Sequence, residues 1–300
     1  MFENNFSGTG WVGEEFGNTN QKIIVEHGAM LRVQAEQVAD YALLNAIQTT
    51  ASKNVQILDT AFFIPQLNRH RRIWIYLPES YHTTKKKYPV IYMQDGQNVF
   101  DAATSFSGEW GVDEALDTLS QQNTSESIVV AIDNGLDKRV NEYSPFDNSR
   151  YGKGEGDAYV DFLVQTLMPY INKHFRTKRS SKYTYIAGSS MGALISLYAI
   201  LKYPNKFGGA GIFSPAFWIV PQLKGYAEKQ AKKVKGKIYF FGGQQEGEEM
   251  IANMLALVDT FHQKSKAVVE TVIRAEGKHD ESTWRDEFPL FYKWLMNTEQ

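Results

Sequence analysis

The sequence predicts an open α/β fold: a mostly parallel sheet of about eight strands with helices on both faces. Three observations carry that expectation. From Val55 onward, short continuous apolar runs recur, as strands buried on both faces require. Segments of helical period separate most of these runs. No internal repeat, low-complexity tract or linker interrupts the chain beyond residue 55, so 55–300 reads as one domain.

Residues 1–54 read as an N-terminal extension. Phe2 to Asn20 alternates glycine with aromatic residues and predicts an irregular arm. Glu26 to Thr50 predicts a helix, with Leu31, Ala35, Val38 and Ala42 on one stripe. The extension either packs on its own domain or forms a contact between copies in a homo-oligomer. Next, Val55 to Ile64 and Arg71 to Leu77 predict an antiparallel pair joined through Pro65 and Asn68. Six further strands follow: Pro89 to Met93, Ser127 to Ile132, Tyr183 to Ala187, Gly209 to Phe213, Lys237 to Phe241 and Val268 to Arg274. Helices are predicted over Gly156 to His174, Met191 to Tyr203, Glu248 to Lys264 and Trp284 to Met296, with Pro289 in the last one's first turn or bending it.

Composition excludes several classes. The chain holds 32 basic and 34 acidic residues, so no overall basic field exists to hold nucleic acid or an anionic membrane. It has no cysteine, which removes disulfides, thiolate metal sites and cysteine nucleophiles. No apolar run approaches the ~20 residues that span a bilayer. The first twenty residues lack the basic start and apolar centre of a signal peptide, which predicts a cytoplasmic protein unless a leader has been removed.

In open sheets ligands gather beyond the carboxyl ends of the strands, so the residues there carry the argument. After Tyr183 to Ala187 comes Gly188-Ser189-Ser190-Met191-Gly192, then a strongly helical run. This is G-x-S-x-G between a strand and a helix, a layout that lifts Ser190 out of the sheet. The Met191 N–H then lies at a helix start, where free amides favour an oxyanion. A serine hydroxyl needs a base. Of six histidines, His174 and His262 end helices on the wrong edge of the sheet. His70 and His82 flank the second strand, and His27 lies in the extension. His279 alone follows a late strand and precedes a helix. The imidazole in turn needs a carboxylate, expected between nucleophile and histidine in chain order. Gly242 to Glu249 supplies it: Glu246 is nearest the strand end, with Glu249 the next choice. A second oxyanion donor is expected after the third strand, in Tyr92 to Asp101, where the Gln97 N–H follows the turn at Gly96.

The blocks MQDGQNVFD, IDN with Arg139 and NEYSP, AGSSMGALISLY, YPNKFGGAGIFSPAFW and FFGGQQEGEEM occur in order over residues 55–297. Together they resemble the esterase family of α/β hydrolases that includes enterobactin-type siderophore esterases, feruloyl esterase domains and S-formylglutathione hydrolases. The last branch fits less well around Asp95 to Asp101. The resemblance implies an α/β-hydrolase fold without a large lid and a cofactor-independent serine ester hydrolase. It places the triad on Ser190, Glu246 and His279, and the oxyanion hole on the amides of Gln97 and Met191.

Substrate-pocket candidates are Asn98, Trp110, Arg139 and Trp218, all near strand ends. The alternative for each aromatic is core packing; for Arg139 it is an ion pair with a nearby carboxylate such as Glu142. Gly152 to Gly156 lacks the G-K-[ST] of a phosphate loop, and no H-E-x-x-H metal spacing exists. The expected partner is a small-molecule ester, with no metal and no cofactor. An acyltransferase, or a non-catalytic binding protein, would use the same scaffold.

Overall fold

The structure is a computed structural model that describes residues 48–122 and 124–297, together with the backbone of three strands nearer the N-terminus. The chain divides into two compact units, 1–49 and 50–300. In the first, Trp11–Val12, Gln21–Glu26 and Ala29–Gln34 form a small antiparallel sheet. Where a helix is expected from Glu26 onward, Ala29–Gln34 is instead a strand. Ile23, Ile24 and Val25 pair with Arg32, Leu31 and Met30 in an antiparallel ladder. The rest of that expected helix, 35–47, and most of the arm lie outside the described residues.

The second unit is built on eight strands: β1 (Val55–Ile64), β2 (Arg69–Tyr76), β3 (Val90–Met93), β4 (Ile128–Ile132), β5 (Thr184–Ser189), β6 (Gly209–Phe213), β7 (Lys237–Gly243) and β8 (Val268–Arg274). Their order is β8-β7-β6-β5-β3-β4-β2-β1. The pairs β1–β2 and β2–β4 are antiparallel, and every other pair is parallel. From β3 the chain moves to β4 on one side and then to β5 on the other. The β3–β5 boundary is thus a topological switch point, where a crevice opens beyond the strand ends.

Helices α1 (Val112–Gln121), α2 (Gly156–Phe162), α3 (Met168–His174), α4 (Met191–Lys202), α5 (Gln222–Gln230), α6 (Glu248–Lys264) and α7 (Glu281–Met296) cover the two faces. A π-helical stretch, Leu163–Leu167, joins α2 to α3. Alternation along the strands feeds two cores. Tyr92, Val130, Ile186, Ile212 and Phe240 pack on the face of α2 to α6; Ile91, Val129, Ala187, Phe213 and Phe241 pack on that of α1 and α7. Helix α7 begins earlier than its apolar pattern predicts, because the Asp280 carboxylate caps the Thr283 N–H at 2.8 Å. Pro289 consequently falls inside the helix rather than in its first turn. No described helix is long and apolar enough to cross a membrane.

The chain enters this unit through hydrogen bonds to α1. Asp113 Oδ2 accepts from the Ser52 N–H at 2.7 Å, and Asp117 accepts from Asn54 Nδ2 at 2.8 Å. Asp113 is fully buried, and its other oxygen has no donor. Burial, reinforced by neighbouring Glu114, pushes its carboxyl from 3.8 up to about 8. The folded protein therefore holds a proton there that the unfolded chain releases, and stability falls as pH rises through that window. Asp113→Asn keeps an acceptor for Ser52 without the charge. It is expected to raise the melting temperature at pH 8 more than at pH 5, which thermal unfolding across that range checks.

Candidate active site

Ser190 sits at the sharp turn between β5 and α4, with φ 55° and ψ −119°, a conformation costly for any residue with a side chain. Its surroundings hold it there. The Ser190 N–H donates to the Phe213 carbonyl at 2.9 Å, and the Ser190 carbonyl accepts from the Ala216 N–H at 3.2 Å. The next residue, Met191, opens α4, where backbone amides have no intrahelical acceptor. Across the turn, Gly192 lies against the β3 loop: a Cβ there would stand 2.9 Å from Asp95 Oδ2 and from Gln94 Cβ. The glycine of the motif thus lets the elbow and that loop touch.

Glu246 ends a short turn after β7, and His279 lies between β8 and α7. His279 Nδ1 is 2.5 Å from Glu246 Oε2. Glu246 Oε1 accepts from the Gly243 N–H at 2.7 Å and from Ser214 Oγ at 2.6 Å. The Glu246 side chain is 1% exposed and that of His279 38% exposed, so the pair is anchored at one end and open at the other. Two glycines bring their loops together: a Cβ on Gly243 would lie 2.3 Å from the Gly277 carbonyl carbon. The Gln245 N–H donates to the Gly277 carbonyl at 3.0 Å. The Trp284 ring stands edge-on to the imidazole, with centroids 5.2 Å apart. A carboxylate on Nδ1 fixes the tautomer that carries hydrogen there and leaves Nε2 as the basic nitrogen. Glu249, the other acid considered, is exposed on α6. Among the described residues no hydrogen bond joins Ser190 to the imidazole; such contacts commonly tighten only when substrate binds.

The β3 loop turns at Asp95, whose φ of 55° is left-handed, into a single 3-10 turn, Gly96–Asn98. Asp95 is held by Arg139 Nε at 2.6 Å, Arg139 Nη2 at 2.9 Å and Asn134 Nδ2 at 2.7 Å. Gln97 is fixed on both sides: its carbonyl accepts from Thr104 Oγ1 at 2.8 Å, and its Oε1 from the Asn134 N–H at 3.1 Å. The loop is also tied to α7, because buried Glu281 Oε1 accepts from Asn98 Nδ2 at 3.0 Å and Ser107 Oγ at 2.6 Å. Burial raises the Glu281 carboxyl above its usual range.

Three of the four pocket candidates are engaged within the protein. Trp110 is 3% exposed and packs on Phe213, Trp284 and Phe288, so it belongs to the core. Asn98 is buried, and its amide is committed to Glu281 and Ser107. Arg139 takes the alternative of an ion pair with a carboxylate, though not with Glu142. It forks onto Asp95, while Glu142 is taken by Arg69 and Arg71. Trp218, by contrast, is exposed in the turn after Ala216. Ser214, Asp95 and Glu281 touch this site without having been singled out from the sequence. Their only signal was position, each directly beyond a strand or beside the histidine.

The sheet order and the serine turn define an α/β hydrolase. The chain belongs to the family described as "Putative esterase", which matches residues 64–294, and it is an ester-hydrolysing enzyme. It is 28% identical over 207 residues to the uncharacterized protein YbbA of Bacillus subtilis (strain 168), covering 66% of this chain and 78% of that one. It is 26% identical over 216 residues to an endo-1,4-beta-xylanase/feruloyl esterase of Xylanibacter ruminicola, covering 70% of this chain and 27% of that one. An IroE-like serine hydrolase from Shewanella oneidensis shares the fold, with TM-score 0.65, 20% identity, and coverage of 82% of this chain and 80% of that one.

The glycine contact between the acid and histidine loops gives a direct test. Gly243→Ala must push Gly277 away, and misplacing a reacting group by about 1 Å costs up to ~100-fold in rate. The expected result is a loss of kcat/KM of that order on a nitrophenyl ester. The accompanying loss of stability, about 1–3 kcal/mol, is measured by urea unfolding.

Proposed function

We propose that the chain hydrolyses carboxylic esters through an acyl-enzyme formed on Ser190, with His279 as general base and Glu246 as its acid partner. The observation that carries this reading is the Glu246–His279 hydrogen bond, beside a serine held in a strained strand-to-helix turn. His279 Nε2 takes the Ser190 proton as Oγ attacks the ester carbonyl carbon. The carbonyl π electrons move onto oxygen, and the amides of Gln97 and Met191 receive that oxyanion. The tetrahedral intermediate collapses by breaking the bond to the alkoxy oxygen, which leaves with the proton from His279. Water then enters, loses a proton to the same nitrogen and attacks the acyl carbon. Collapse of the second intermediate releases the acid and restores the Ser190 hydroxyl. Throughout, Glu246 keeps the Nδ1 proton in place and stabilises the imidazolium.

Trp218 supplies the substrate side of this reading. It is 43% exposed, and it follows Ala216, which is bonded to the Ser190 carbonyl. We assign it as an apolar contact for the acyl or alcohol group. The feruloyl esterase name carried by one relative fits an aromatic acyl group there. Trp218→Ala is expected to raise KM for methyl ferulate several-fold and leave nitrophenyl acetate little changed; equal effects on both exclude the assignment.

For the triad, a serine-directed fluorophosphonate should label Ser190, as located by peptide mass spectrometry. Labelling should disappear in His279→Ala. Ser190→Ala should lower kcat by about 10⁴-fold or more. An unreactive wild-type protein, or an adduct elsewhere with Ser190→Ala fully active, would falsify the mechanism.

A further inference from the structure

The geometry points to Ser214 as a positioning residue that sets how strongly Glu246 holds the imidazole, a role resting on the assignment of Glu246 and His279 above. Ser214 is the first residue beyond β6. It is fully buried, has φ 44°, and its N–H donates to the Phe241 carbonyl at 2.7 Å. That φ favours glycine and is costly for serine, so the backbone alone does not explain the side chain. The hydroxyl has two neighbours of fixed character. Trp284 Nε1 is 2.8 Å away, and an indole nitrogen only donates. Glu246 Oε1 is 2.6 Å away, and a carboxylate only accepts. The direction of the chain is therefore fixed: Trp284 N–H to Ser214 oxygen, and Ser214 O–H to Glu246. A hydroxyl whose oxygen accepts a hydrogen bond is a stronger donor.

Glu246 thus divides its charge among the Gly243 amide, the Ser214 hydroxyl and the His279 ring. Removing the hydroxyl returns charge to the carboxylate, which then stabilises the imidazolium more strongly. The protonated, inactive histidine should persist to higher pH. The other charged groups around the pair are engaged elsewhere or unaltered by this change. Glu276 lies near Gln245, Asp280 caps α7, and Lys278 neighbours Asp280. On α7, Glu281 faces Asn98 and Ser107, and Arg285 faces Glu109; on β8, Arg274 faces Glu287 and Asp286. Asp95 is paired with Arg139.

The test uses the full chain and the rate at which diisopropyl fluorophosphate labels Ser190 between pH 5 and 9. Ser214→Gly removes the hydroxyl and relieves the positive φ; Ser214→Ala removes the hydroxyl and keeps the strain. Both are expected to move the acid limb of the rate profile upward by about half a pH unit, a few-fold effect on the basic fraction near the midpoint. Trp284→Phe leaves the hydroxyl but removes its donor, and should move the limb in the same direction by less. A limb unmoved or lowered in Ser214→Gly, with the protein folded by circular dichroism, overturns the role of Ser214. A shift in Ser214→Gly with Ser214→Ala unmoved assigns the effect to relief of strain and also overturns it. If wild-type protein is not labelled, or His279→Ala labels at the wild-type rate, the triad itself fails, which is a separate result.

Discussion

The site depends on parallel pairing at the carboxyl end of the sheet. Ser189 on β5 pairs with Phe213 on β6, and Phe213 pairs with Phe241 on β7. One row of strand ends therefore places Ser190, Ser214 and the Gly242–Gly243 end of β7 side by side. Pairing of Gly243 with Arg274 extends the row to β8 and the loop that carries His279. A parallel sheet has no freedom to slip here, because a one-residue shift would exchange the two apolar faces. The cores on both sides of the sheet, rather than bonds within the site, thus bring distant segments together.

The same row concentrates backbone strain. Among the described residues, the non-glycine residues of positive φ are Asn68, Asp95, Leu136, Ser190 and Ser214. Four of the five lie just beyond β3, β4, β5 or β6. Each such conformation costs on the order of 1–3 kcal/mol and persists only where packing over-determines it. Here the carbonyls of Phe213 and Phe241 receive the amides of Ser190 and Ser214, so both strained serines are bonded to the next strand. Strain is tolerated where a chain leaving a buried strand must turn at once to face the crevice.

Much of this was legible in the sequence, and the failures have physical reasons. The G-x-S-x-G turn is local and punctuated by glycines, so strand, turn and helix could be read together. His279 was found by elimination, from the edge of the sheet on which each histidine falls. Ser214 follows a strand with no companion spacing, and its meaning appears only when β6 and β7 are paired. Asn98 and Trp110 were placed near the site through the sequence, but loops do not announce which side chains turn inward. Arg139 shows the limit most clearly. Glu142 is three residues away, the spacing of a helical ion pair, yet Asp95, forty-four residues earlier, is the partner. The strand Ala29–Gln34 was read as part of a helix because the stripe Leu31, Ala35, Val38 and Ala42 has a helical period, although only Leu31 of it falls in the strand.

In the mechanism proposed above, Arg139 also determines how negative charge is distributed around the reaction. An anionic tetrahedral intermediate is disfavoured by carboxylates within a few ångströms. Asp95 and Glu281 both lie on or against the loop that carries the Gln97 amide. Asp95 is neutralised by a two-toothed bond to Arg139, a group held well above its ordinary pKa by that carboxylate. Glu281 is buried among neutral donors, and burial raises its own carboxyl, so its charge is the easier to withdraw. That leaves Glu246 as the carboxylate whose charge faces the imidazole. If Arg139 instead gripped an anionic substrate, Asp95 would be left unpaired beside the oxyanion loop, at a cost of several kcal/mol. The guanidinium therefore serves the protein by staying where it is, and the proposed function leaves recognition of the ester to apolar surface such as Trp218.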